Sequence, residues 1–140
     1  MFDVVISNPP YISREAFRKE TTRSVRNWEP KLALVPHKHP AKGLSTGVDP
    51  ADIFYHRLLE LHSQTFKSSV LLMEVGDKEQ ALRVVKMAIK FIGTSNHIEI
   101  WADNPGTDVL EDIYIDELKI PVRGTGAFRA VSLLKYSAPA

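Results

Sequence analysis

Apolar positions recur along the chain with two periods. Near-continuous aliphatic runs read as strands buried on both faces: Phe2 with Val4 to Ile6, and Ser68 to Val75, which stops at Gly76. The alternation of His97-Ile98-Glu99-Ile100-Trp101 predicts a half-exposed strand, and Phe128 to Tyr136 a last one. Between them the period lengthens. Asp49 suits an N-cap and Pro50 the first helical position, with Ile53, Phe54, Leu58, Leu61 and Phe66 near one face. Asp77 caps a second helix to about Phe91, which Gly93 closes; Ala81, Leu82, Val85, Met87, Ala88 and Ile89 are its apolar positions.

The remaining segments are punctuated. Pro9 and Pro10 end the first strand, because neither can donate to a ladder and each restricts the residue before it. Ser13 caps a short helix over 14–20, and residues 36–49, rich in Pro, Gly, Lys and His, form a surface loop. Residues 104–127 hold Pro105, Gly106, Pro121, Gly124 and Gly126 around an acidic patch, and read as a flap or insertion. Strand, loop, helix, strand, helix, strand, flap, strand is an α/β pattern with an antiparallel pair at its end. A length of 140 residues suits one domain, 1–140.

Composition narrows the chemistry. The chain has no cysteine, so disulfides, thiolate metal sites and cysteine nucleophiles are excluded together. Its net charge of +1 argues against nucleic-acid or membrane binding by bulk electrostatics. No apolar run approaches a membrane span, and no basic-then-apolar stretch marks a secretory signal. His37, His39, His56, His62 and His97 are irregularly spaced, which argues against a metal site.

The richest chemistry lies at Asn8-Pro9-Pro10-Tyr11. A carboxamide oxygen and a proline carbonyl are two acceptors held in fixed directions, and a tyrosine ring offers a flat face. Together they can grip a conjugated amide or amine nitrogen by both its hydrogens. Such a nitrogen is a poor nucleophile. Holding its hydrogens favours pyramidal geometry and aims the lone pair, so positioning and preorganised dipoles carry the rate. An activated methyl on a sulfonium suits this arrangement as electrophile.

An Asn-Pro-Pro-Tyr loop after a buried strand resembles the acceptor loop of S-adenosylmethionine-dependent amino-methyltransferases. The flanking residues sharpen the likeness. Phe2 to Ile12, the Glu29-Pro30 and Ala33-Leu34 segment, Ile53 to Leu59, Leu71 to Gly76 with Gln80-Ala81, and Gly126 to Val131 resemble, in order, segments of the HemK/PrmC family of release-factor glutamine methyltransferases. The resemblance implies strands four to seven, the C-terminal half, of a Rossmann-like seven-stranded methyltransferase sheet with an antiparallel final strand. It implies S-adenosyl-L-methionine as methyl donor and the Gly-Gly-Gln loop of a peptide chain release factor as acceptor. Asn8, Pro9, Pro10 and Tyr11 would be catalytic and substrate-binding, Asn8 would also lie near the donor methyl, and Glu29 would contribute to the acceptor pocket. An intracellular location, mitochondrial or cytoplasmic, goes with this reading.

The family's glycine-rich donor loop has no counterpart in the sequence, so the donor-binding half is expected to be missing and a complementing chain to cover the edge of the first strand. Two other readings stay open. Adenine-N6 methyltransferases of nucleic acids share the tetrapeptide, and a non-catalytic fragment needing a partner chain would carry the same residues. Trp28 and Trp101 read as packing residues, Glu74 as a buried polar group with a local partner, and Arg129 as the partner of a carboxylate in the flap.

Overall fold

The computed structural model describes residues 3–36, 47–66, 69–93, 97–106 and 110–134. Phe2, His37 and His39, most of the loop 36–49 and the end of the last predicted strand lie outside them. The fold is a mixed sheet with helices. Its strands are β1 (Val4–Ser7), β2 (Val70–Glu74), β3 (His97–Asn104), β4 (Leu110–Ile115), β5 (Leu118–Arg123) and β6 (Thr125–Leu134). They lie in the order β1-β2-β6-β3-β5-β4. β1 runs parallel to β2 and β3 parallel to β5; β6 is inserted between β2 and β3, antiparallel to both.

Five helices accompany the sheet among the described residues: α1 (Arg14–Lys19), α2 (Arg23–Trp28), α3 (Lys31–Leu34), α4 (Ile53–Leu61) and α5 (Lys78–Ile92). A 3-10 turn, Pro50–Asp52, leads into α4, and a π turn, His62–Phe66, follows it. Asp49 and Asp77 act as the expected caps, accepting from the backbone N–H groups of Ala51 at 2.8 Å and Gln80 at 2.7 Å. Ser13 caps α1 in the same way. The core packs α4 and α5 on one face of the sheet: Tyr55 and Leu59 with Ala81, Val84, Val85 and Ala88 against Leu71, Met73, Val75, Ile98, Ile100, Val131 and Leu133.

Several expectations are corrected here. β1 forms where predicted but is not buried: Val4 is 52% and Ile6 73% exposed. Val5 faces the α4–α5 core, so its neighbours point to the opposite face, which no described helix covers at this edge. α4 turns a partly different stripe inward, with Leu58 packed against the core as expected. Asp52, Tyr55, Leu59 and His62 are buried, while Phe54 is exposed. Tyr55 can be buried because its hydroxyl donates to the Glu74 carbonyl at 2.7 Å. β3 is interior rather than half exposed, with Ile98, Glu99 and Ile100 all buried. The Glu99 carboxylate accepts from Trp101 Nε1 at 2.8 Å and from Arg123 at 3.3 Å, so a charged group is tolerated there. Burial raises its pKa, but the Trp101, Arg123 and His97 side chains outweigh that and hold it below the usual carboxylate range. Trp28 is 85% exposed and is not a packing residue.

Residues 104–127 include the β4–β5 hairpin. Asp116 and Glu117 both have positive φ, the conformation of a tight two-residue hairpin turn. Ile115, Ile120 and Val122 from this hairpin join the core. Gly124, where β5 passes into β6, has φ +86°, and a Cβ there would fall 2.2 Å from the Asn104 carbonyl oxygen. Gly124→Ala is therefore expected to cost about 3 kcal/mol or more. Urea denaturation measures it, and a midpoint equal to wild type would show that the β5–β6 junction yields freely.

Candidate acceptor site

The parallel pairing of β1 with β2 sets the site. Ser7 aligns with Met73, so both strands end at one edge of the sheet. The Asn8 to Tyr11 loop then lies beside the turn at Gly76, outside the carboxyl ends of two parallel strands, where α/β sheets place their ligand crevices. Asn8 is exposed, and its carboxamide has no hydrogen-bond partner among the described residues. Pro9 is buried and Pro10 half-buried, which anchors the segment. All four residues wall a cavity of about 150 Å³, closed by Ile12, Ala33 and Leu34. The Ile12 N–H donates to the Leu34 carbonyl at 2.9 Å, tying the loop to α3.

Tyr11 is held at both ends. Its hydroxyl donates to Glu74 Oε1 at 3.1 Å, and its carbonyl accepts from Gln80 Nε2 at 3.3 Å. Its ring lies against Gly76, where a Cβ would come within 3.0 Å of Cδ2. Glu74 is thus half-buried with a local partner, as its place in the strand suggested. Behind the loop lies a larger cavity of about 480 Å³, walled by Tyr11, Ser13, Asp49, Asp77, Gln80 and others. Asn8, Pro9 and Pro10 take no part in its wall.

The structure brings Asn8, Pro9, Pro10 and Tyr11 together. Glu29 stands apart from the cavity wall, exposed at the C-cap of α2. Arg129 pairs with Asp103 on β3, one residue ahead of the predicted flap. The Ala127 N–H reaches the same carboxylate, and the two donors lower its pKa.

Sequence reasoning missed the support behind the loop. Gln80, Asp52, Tyr55 and Arg83 form a network there. Asp52 is buried and takes both Arg83 Nε at 2.6 Å and Gln80 Nε2 at 2.9 Å. That carboxylate raises the pKa of Arg83. The signal was present in Asp77-x-x-Gln80, a capping-box spacing, but nothing local tells where the second half of that amide points.

Burial, with the Asp52 charge next, raises the pKa of Tyr55; burial and the Glu74 hydrogen bond raise that of Tyr11. Both phenols bind their protons more tightly folded than unfolded. Stability intact below about pH 10, the ordinary tyrosine value, is lost as pH rises above it. Tyr55→Phe is expected to cost about 1 to 3 kcal/mol at neutral pH by stranding the Glu74 carbonyl, and to flatten the alkaline decline. Urea midpoints on either side of about pH 10 test this; an alkaline decline as steep as wild type would assign it to other groups.

No family model and no solved structure matches the chain. Curated relatives do. The chain is 32% identical over 81 residues to a ribosomal protein uL3 glutamine methyltransferase of Francisella tularensis, covering 58% of this chain and 22% of the relative. It is 34% identical over 84 residues to a probable mitochondrial N(5)-glutamine methyltransferase of Schizosaccharomyces pombe, covering 59% and 26%. A release factor glutamine methyltransferase of Bacillus cereus is 35% identical over 109 residues, covering 76% and 33%. Over 58 to 76% of its length this chain is thus similar to proteins named as glutamine methyltransferases, and its matched segment spans no more than 33% of any of these three.

Proposed function

We propose that this chain carries the acceptor side of an S-adenosylmethionine-dependent methyltransferase acting on the side-chain amide of a glutamine in a peptide chain release factor. The observation that carries the proposal is the uncommitted, exposed Asn8 carboxamide beside the anchored Pro9, at the mouth of a small cavity. Asn8 Oδ1 and the Pro9 carbonyl accept the two hydrogens of the glutamine amide. Pro10 fixes the loop, and Tyr11, held by Glu74, gives the amide a flat wall. Glu29, exposed where α2 passes into α3, meets the substrate segment outside the cavity. The relatives' names favour a glutamine acceptor over an adenine.

The donor supplies the electrophilic methyl. Among the described residues no glycine-rich turn lies beside Asn8, and Asn8 takes no part in the wall of the larger cavity at Tyr11. We therefore assign the donor to residues outside those described here, with Asn8 alone reaching its methyl. The order β1-β2-β6-β3, with the last strand antiparallel, supports reading these as strands four to seven of the family's sheet. On that reading a complementing segment covers the exposed face and edge of β1, and the chain without it is a non-catalytic part of the enzyme.

A Gly-Gly-Gln release-factor fragment titrated into the chain is expected to shift the NMR signals of the Asn8 carboxamide and the Ile12 amide. Asn8→Ala is expected to weaken binding about tenfold, and about 100-fold in any methyl transfer the complemented chain shows. Binding unaffected by Asn8→Ala would sink the clamp. Calorimetric binding of S-adenosylmethionine by the chain alone would overturn the reading that it needs a complementing segment to hold the donor.

A further inference from the structure

Gln80 is the third residue of α5 and 2% exposed. Its partners fix which way the amide points. Oε1 accepts from the Gly76 N–H at 2.9 Å, a group that can only donate. The other end must then be Nε2, and it faces acceptors alone: Asp52 Oδ1 at 2.9 Å, the Tyr11 carbonyl at 3.3 Å and the Ala51 carbonyl at 3.4 Å. One hydrogen goes to Asp52 and the other is shared between the two carbonyls.

The two ends do different work. A capping residue at this position needs only an oxygen that accepts from the backbone just ahead of the helix, and a glutamate does that as well as a glutamine. Only the nitrogen reaches the acceptor loop. It joins Tyr11, 69 residues away in sequence, to the start of α5 and to the Asp52–Arg83 pair.

We infer that Gln80 is the positioning residue of the Asn8–Tyr11 loop, acting through its Nε2 on the Tyr11 carbonyl. With Glu74 on the hydroxyl, the carbonyl contact leaves the Tyr11 ring one orientation over Gly76. The consequence for methyl transfer rests on the function proposed above; the control of loop geometry does not.

Gln80→Glu separates the two roles, since it keeps the capping oxygen and removes the donor. It also sets a carboxylate against Asp52, so the variant is made alone and together with Asp52→Asn, which removes that repulsion. Hydrogen exchange and tyrosine-labelled NMR on the 140-residue chain read the result. In the double variant the amides of Ala81 and Val84 are expected to exchange as in wild type. The Ile12 amide is expected to exchange about tenfold faster, with the Tyr11 ring signals displaced. Ile12 and Tyr11 unchanged in the double variant would overturn the inference. If all amides accelerate equally, Gln80 is a folding residue only, and the inference also fails. In a complemented chain active on the glutamine fragment, the double variant is expected to lower kcat with KM little changed. Unaltered kcat beside a displaced loop would deny the catalytic consequence. No transfer by the complemented wild-type chain would count against the proposed function and leave the loop result standing.

Discussion

The close approach of the Tyr11 ring to Gly76 is the contact on which the site depends. It exists because β1 and β2 pair in parallel and end together, so the turn after one meets the loop after the other. A side chain at Gly76 would push the ring away, and a loop lacking prolines would have freedom to leave. Polar groups surround this contact, and they are satisfied in chains. Tyr11 donates to Glu74, Tyr55 donates to the Glu74 carbonyl, and Gln80 bridges Gly76 to Tyr11 and Asp52. Each would cost free energy if stranded, so the network holds one geometry.

Against this rigid support, two features are left open. The Asn8 carboxamide is exposed and uncommitted among the described residues, and the Val4–Ile6 edge presents apolar side chains with one neighbour among the described strands. The first is what a clamp needs before its substrate arrives. The second leaves backbone groups of an edge strand open to pairing. Charged side chains elsewhere are tied down: Asp52 with Arg83, Glu99 with Arg123, Asp103 with Arg129.

Much of this was legible in residue order. The helix over 78–92 followed from Asp77, its apolar spacing and Gly93, because caps and periodicity are local. The end of β1 was legible too, because two prolines cannot join a ladder. Other expectations failed for lack of partners. The inward stripe of α4 was partly misplaced because Tyr55 and Asp52 look polar until a partner is supplied from β2 or α5. β3 read as half exposed because Glu99 looks like a solvent position, and Trp101 on its own strand together with Arg123 on the neighbouring one makes it a buried one.

The Asn-Pro-Pro-Tyr loop, the caps, the positions of most elements and the absence of thiol chemistry were determined by the sequence alone, since each rests on bonds and torsions within a few residues. Tertiary structure decided that Glu29 stands outside the cavity wall, that β1 is exposed and that Gln80 stands behind Tyr11. Those are questions of which distant groups meet. A chain's local code cannot answer them, because a buried polar side chain is allowed only where a partner from elsewhere in the fold accepts or donates its hydrogen bond.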